Sequence, residues 1–160
     1  MNQNGFSLVE LVTTIAIISI LLTIATLNYN NWQVKYNVEN QTKEMLSDIN
    51  SLRLRAIHTK KLHRIELQSG GYVFKRSSSD EDVYVSGPAV ESKTLKYPIL
   101  KADGTSVNGE NIDFNSRGFT SNFLTIRVDS PTNNAAQDCL IVSAAQTNLG
   151  KMENGTCTPK

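Results

Sequence analysis

Residues 8–27 read LVELVTTIAIISILLTIATL, twenty positions carrying a single charge, Glu10. A helix rising about 1.5 Å per residue covers about 30 Å over that run, the thickness of a bilayer's hydrocarbon core, so a membrane-spanning helix is expected over residues 6–27. Residues 28–61 continue without Pro or Gly, and apolar side chains recur at Val38, Met45, Ile49, Leu52 and Ala56. Steps of seven, four, three and four put those five on one helical face. A helix that is apolar all round and then apolar along one stripe has left the membrane and packs on a domain. Tyr29 and Trp32, just past the run, suit an interfacial aromatic belt or packing between subunits.

Beyond Leu62 the period falls to two. Residues 62–67 and 72–76 read as strands joined by Ser69-Gly70-Gly71, and further strands are expected at 83–86, 94–100, 112–115, 123–128 and 139–143. Pro98 demotes or breaks its strand. Turns fall at Ser77-Ser78-Ser79-Asp80, Ala102-Asp103-Gly104, Ser116-Arg117-Gly118 and Ser130-Pro131-Thr132-Asn133-Asn134. The predicted class is α+β, a long N-terminal helix packed on an antiparallel β domain. Its organisation is a short leader (1–5), a membrane helix (6–27) and a domain over 28–160, with helix to about residue 61 and β structure from about 62.

Charge sharpens the division. No Lys or Arg precedes Lys35, so all 16 basic residues and every acidic residue except Glu10 lie beyond the apolar run. That remainder is nearly neutral and gives no global sign of nucleic-acid binding. Two cysteines, Cys139 and Cys157, cannot make a tetrahedral zinc site without nearby His, and His58 and His63 lie far upstream. In an exported domain such a pair favours a disulfide, worth about 3 kcal/mol for a loop of this size.

A cleaved secretory signal would need a basic start and a small-residue cleavage site at the end of its apolar stretch, both missing here. A plain signal anchor has the right length but does not account for Glu10, since a lone carboxylate in a bilayer costs at least a few kcal/mol. If the chain is cut between Gly5 and Phe6, the freed amine of Phe6 is a cation at a helix N-terminus. Glu10 of one subunit can then neutralise the amine of its neighbour.

The residues Gly5-Phe6-Ser7-Leu8-Val9-Glu10-Leu11 closely resemble the prepilin peptidase signature of type IV pilins and pseudopilins. The resemblance implies that Gly5 precedes the cleaved bond, that Phe6 becomes the N-methylated mature end, and that Glu10 is the assembly glutamate. It implies prepilin peptidase, other pilins and the inner membrane as partners. The leader Met1-Asn2-Gln3-Asn4-Gly5 departs from the family pattern in having no Lys or Arg. Leu27 stands where many major pilins carry Pro, which leans towards a minor pilin or pseudopilin, of a type IV pilus or a type II secretion pseudopilus. The β part is similar to the GspH/FimT branch, on Leu52-Arg53-Leu54-Arg55-Ala56, on 112–120 (IDFNSRGFT), and on Cys139-Leu140-Ile141-Val142-Ser143 leading to Gly150-Lys151.

Arg53, Arg55, His58, Lys60, Lys61, His63 and Arg64 gather seven basic or titratable groups with no acid among them. They read either as a phosphate-binding patch or as cations complementing a helix C-terminus, and the second is favoured. Some members of the resembled branch bind DNA through a basic C-terminal motif; the matching stretch here, Gly150-Lys151-Met152-Glu153, keeps one cation and adds a carboxylate. A DNA-uptake pilin contacting DNA through Arg53, Arg55, Lys60, Lys61, Arg64 and Lys151 is the alternative function. An anchored periplasmic domain with an uncut leader and no filament role is a third.

No catalytic motif is visible: the serines have no His at a recognisable spacing and no Gly-rich phosphate loop is present. Asp80-Glu81-Asp82 in a Ser-rich turn reads as a solvated loop rather than a calcium site, and Asn154-Gly155-Thr156 as a turn before Cys157. An enzyme, a cofactor and a metal are not expected.

Overall fold

The computed structural model describes residues 6–79, 83–130 and 134–160, with the side chains of residues 24–28 outside the description. The leader, the Asp80-Glu81-Asp82 acidic turn and the centre of the Pro131-Thr132-Asn133 turn lie outside the described residues. The chain divides into two compact units, Met1–Val34 and Lys35–Lys160. A single helix, α1 (Leu8–Thr59), contributes to both.

Within the second unit the predicted stripe is the buried face of α1. Val38, Met45, Ile49, Leu52 and Ala56 are all buried, joined by Gln41 and Thr42. The two polar members are satisfied locally. Thr42 donates its hydroxyl to the Val38 carbonyl, and the Gln41 amide takes both backbone groups of Tyr97, at 2.8 and 2.9 Å. Residue Lys60, at φ 55°, ends the helix in the left-handed conformation common just past helix C-termini.

Among the described residues nine strands follow: β1 (His63–Gln68), β2 (Gly71–Arg76), β3 (Ala89–Thr94), β4 (Ile99–Lys101), β5 (Asn111–Phe114), β6 (Leu124–Val128), β7 (Cys139–Val142), β8 (Thr147–Glu153) and β9 (Thr156–Pro159). They form two antiparallel sheets, ordered β3-β2-β1-β5 and β4-β6-β7-β8-β9. On the first sheet Ile65, Leu67, Tyr72, Phe74, Ile112 and Phe114 are buried, and Met45 and Ile49 of α1 pack beside Ile65, Leu67 and Tyr72. Ile99, Ile126, Val128, Leu140 and Val142 supply the core of the second. The α+β class expected from the pattern is the observed one.

Locally the structure corrects one expectation, bears out the effect of Pro98 and adds a hairpin. Residues 83–86 are not a strand, because the Ser77 hydroxyl accepts the Val85 amide at 3.1 Å and so occupies a donor a ladder would need; the third strand forms at Ala89–Thr94 instead. The run 94–100 breaks before Pro98, as that residue led one to expect: Thr94 closes the third strand opposite Gly71, and pairing resumes at Ile99. The C-terminal residues form a hairpin, β8–β9, absent from the pattern reading. Its two-residue turn is Asn154-Gly155, at φ 51° and 80°, the primed geometry that Asn-Gly adopts readily.

Candidate functional site

Helix α1 begins one residue after Ser7, whose carbonyl accepts the Leu11 amide at 3.1 Å. Ser7 therefore stands at the N-cap and Glu10 at the third helical position, the spacing of a capping box, a signal the pattern reading passed over. Anionic Glu10 also complements the positive end of the helix dipole. Its carboxylate makes no hydrogen bond or ion pair with any described residue and is solvent-exposed.

From Phe6 to Thr23 every side chain is exposed, Phe6 at 83%. The exposed set includes Leu8, Val9, Leu11, Val12, Ile15, Ile17, Ile18, Ile20, Leu21 and Leu22, on all sides of the helix. The polar members do not interrupt this surface. Thr13 bonds the Glu10 carbonyl at 3.0 Å, Thr14 that of Leu11, Ser19 that of Ile15 and Thr23 that of Ser19, each at 2.8 Å. Hydroxyls folded back on their own helix need no outside partner, as an apolar medium requires. So large a continuous apolar surface marks a segment that lipid or other protein covers. Among the described residues no helix is long and apolar enough to cross a membrane. The apolar run of the sequence continues into residues 24–28, whose side chains lie outside the description.

The remaining predicted residues sit in the second unit. Cys139 and Cys157 form a disulfide. Cys139 pairs with Gly150 across β7–β8 and Cys157 with Met152 across β8–β9, so the bridge joins β7 to β9 over the strand between them. Gly150 lies beneath it: a Cβ there would be 2.6 Å from the Cys157 sulfur.

The basic cluster does not form one free patch. Arg53 donates to the Ala145 carbonyl and, at 3.3 Å, to the Thr147 hydroxyl, with its guanidinium carbon 5.0 Å from the centre of the Phe114 ring; burial lowers its pKa. Arg55 meets Glu91 at 3.5 Å. Arg64 clasps Asp113 through two bonds, 2.6 and 2.7 Å, which raise its pKa. His63 is buried, 3% exposed, with Nδ1 3.0 Å from the Lys61 carbonyl. Burial, and then the charges of Arg76 and Arg55, lower its pKa. Lys60 is exposed beyond the helix end, while Lys151 is half-buried on β8.

A further acid–base group that the pattern did not reveal ties α1 to the first sheet. Lys93 of β3 contacts Glu44 at 3.0 Å and Asp48 at 2.9 Å, and Tyr72 donates to Asp48 at 2.6 Å. Burial, reinforced by Asp48, raises the Tyr72 pKa.

No curated protein and no solved structure matches the chain. Residues 1–26 match the family model of the prokaryotic N-terminal methylation motif, so the chain carries at its N-terminus the type IV pilin-like signal, which implies processing by prepilin peptidase and assembly with other pilins.

Proposed function

We propose that the chain is a minor pilin or pseudopilin of a type IV pilus or type II secretion pseudopilus, a structural subunit and not an enzyme. Prepilin peptidase cuts after Gly5, Phe6 becomes the methylated mature end, and residues 6–27 hold the subunit in the inner membrane by a single pass with residues 28–160 in the periplasm. There the segment docks against the same segment of neighbouring subunits. The observation that carries this reading is Glu10, exposed and without an ion-pair or hydrogen-bond partner among the described residues, at the start of an all-round apolar helix surface within the methylation motif. In a low-dielectric filament core a neighbour's Phe6 amine supplies the missing cation and sets the stagger between subunits. The Cys139–Cys157 disulfide suits an oxidising periplasm.

The DNA-uptake reading draws less support, because Arg53, Arg55 and Arg64 are engaged with protein partners. The test is incorporation. Co-purified with its filament, the wild-type chain is present and Glu10→Ala is depleted at equal membrane abundance; undiminished incorporation of the variant overturns the assembly role.

A further inference from the structure

Two Asn-Gly pairs stand in turns of the second unit, Asn108-Gly109 and Asn154-Gly155. A third, Asn4-Gly5, lies outside the described residues. Such a pair is open to a particular reaction, because glycine has no Cβ to shield its backbone nitrogen from the asparagine side chain. The glycine nitrogen attacks the asparagine Cγ. The new C–N bond closes an imide ring, and the side-chain nitrogen leaves as ammonia, carrying the proton from the glycine nitrogen. Water then opens the imide. Cleavage at the side-chain carbonyl gives isoaspartate's isomer, ordinary aspartate, when the backbone bond is restored; cleavage at the backbone carbonyl gives isoaspartate, whose main chain runs through Cβ.

Exposure does not separate the two pairs, since all four residues are exposed. Hydrogen bonding does. The Asn108 side-chain oxygen accepts the Ser69 amide at 2.6 Å and the Ser69 hydroxyl at 3.1 Å. The Gly109 nitrogen, which would be the nucleophile, donates to the Leu67 carbonyl at 3.4 Å, and the Leu67 amide donates to the Glu110 carbonyl at 2.9 Å. Both reacting groups are engaged, and bringing them together means detaching this turn from β1 and the residue after it. At Asn154-Gly155 nothing comparable holds them. Among the described residues neither the Asn154 side chain nor the Gly155 amide has a hydrogen-bond partner, and a Cβ on Gly155 would meet nothing within 4 Å. Attack requires the turn to open, which at a hairpin tip disturbs the Glu153–Thr156 pair first.

We propose that Asn154 is a site of spontaneous deamidation, while the fold protects Asn108. The product places a new carboxylate beside Glu153. As isoaspartate it also adds a backbone carbon to a two-residue turn, so the pairing of Glu153 with Thr156 and of Met152 with Cys157 no longer closes in register. The Cys139–Cys157 bridge still tethers β9. The inference stands on the second unit alone and is independent of the filament role.

The experiment ages the full chain in detergent micelles at physiological pH and temperature, beside a sample unfolded in urea with its disulfide reduced. Samples taken over time are digested and mapped by mass spectrometry, which reads each conversion as a gain of about 1 Da. Isoaspartate is identified by methylation with protein isoaspartyl methyltransferase. In the folded chain Asn154 should convert at least about ten-fold faster than Asn108, and unfolding should erase the difference. Asn154→Gln, whose longer side chain disfavours the ring, should leave that peptide unmodified. The proposal is overturned if the two folded rates agree within about three-fold, if the ratio persists on unfolding, or if Asn154 converts only in the unfolded sample.

Discussion

Gly150 offers the sharpest test of the C-terminal architecture, because its backbone is not in the left-handed region and alanine there is resisted by space alone. A Cβ would lie 2.6 Å from the Cys157 sulfur and 2.7 Å from the Thr158 carbonyl oxygen, both closer than real contacts permit. Neither neighbour yields easily: the sulfur is tethered to Cys139 and the oxygen belongs to the paired strand β9. Overpacking of this kind costs about 1–3 kcal/mol. If the bridge fails to close, the loss rises to that of the disulfide, about 3 kcal/mol for cysteines 18 residues apart. The assay is urea unfolding of wild type and Gly150→Ala, each with the cysteines intact and with both replaced by alanine. The clash with sulfur disappears in the alanine background while that with Thr158 stays, so the Gly150→Ala penalty should shrink by about 1 kcal/mol without vanishing. A penalty equal in the two backgrounds, or below about 0.5 kcal/mol with the disulfide present, would refute the placement of Gly150 under the bridge.

Two other predictions concern the end of α1. His63 titrates below its ordinary 6.5 when folded, so around and below pH 6.5 the unfolded chain binds more protons and stability falls on acidification. Unfolding curves between about pH 7.5 and 5.5 should show that decline, and His63→Gln should flatten it; an unchanged slope contradicts the burial argument. Gly118 has φ +81°, and an added Cβ would meet Ile57 Cδ1 at 2.7 Å. Gly118→Ala should cost about 1–2 kcal/mol in the same assay, mostly from the left-handed backbone since the Ile57 tip can move. A neutral result would mean that this turn has another conformation.

What could be read from the chain follows from how local each signal is. The stripe from Val38 to Ala56 depends only on spacing along one helix, and its residues are buried as that spacing requires. The Asn154-Gly155 turn was visible, yet the hairpin around it was not. Thr147–Glu153 lacks a clean alternation, and β9 ends in Pro159, so its place depends on pairing with β8 and on the bridge from Cys139. Residues 83–86 have the composition of a strand, but Ser77 and Ser78 take up their backbone groups instead of a ladder. For the same reason a phosphate-binding patch stayed open as the less favoured reading of the helix-end cations. Their partners Glu91, Asp113 and Ala145 lie far along the chain, on β3, on β5 and just before β8. The N-terminal signal is contiguous, and so is the feature that matters most to function.

The central claim is that the chain is processed to expose Phe6 at the head of the assembly helix. Intact-mass and N-terminal peptide mass spectrometry of the protein from membranes tests it directly. The account predicts loss of residues 1–5 and one added methyl group, about 14 Da, on the Phe6 amine. A mature protein that still begins at Met1 would contradict it.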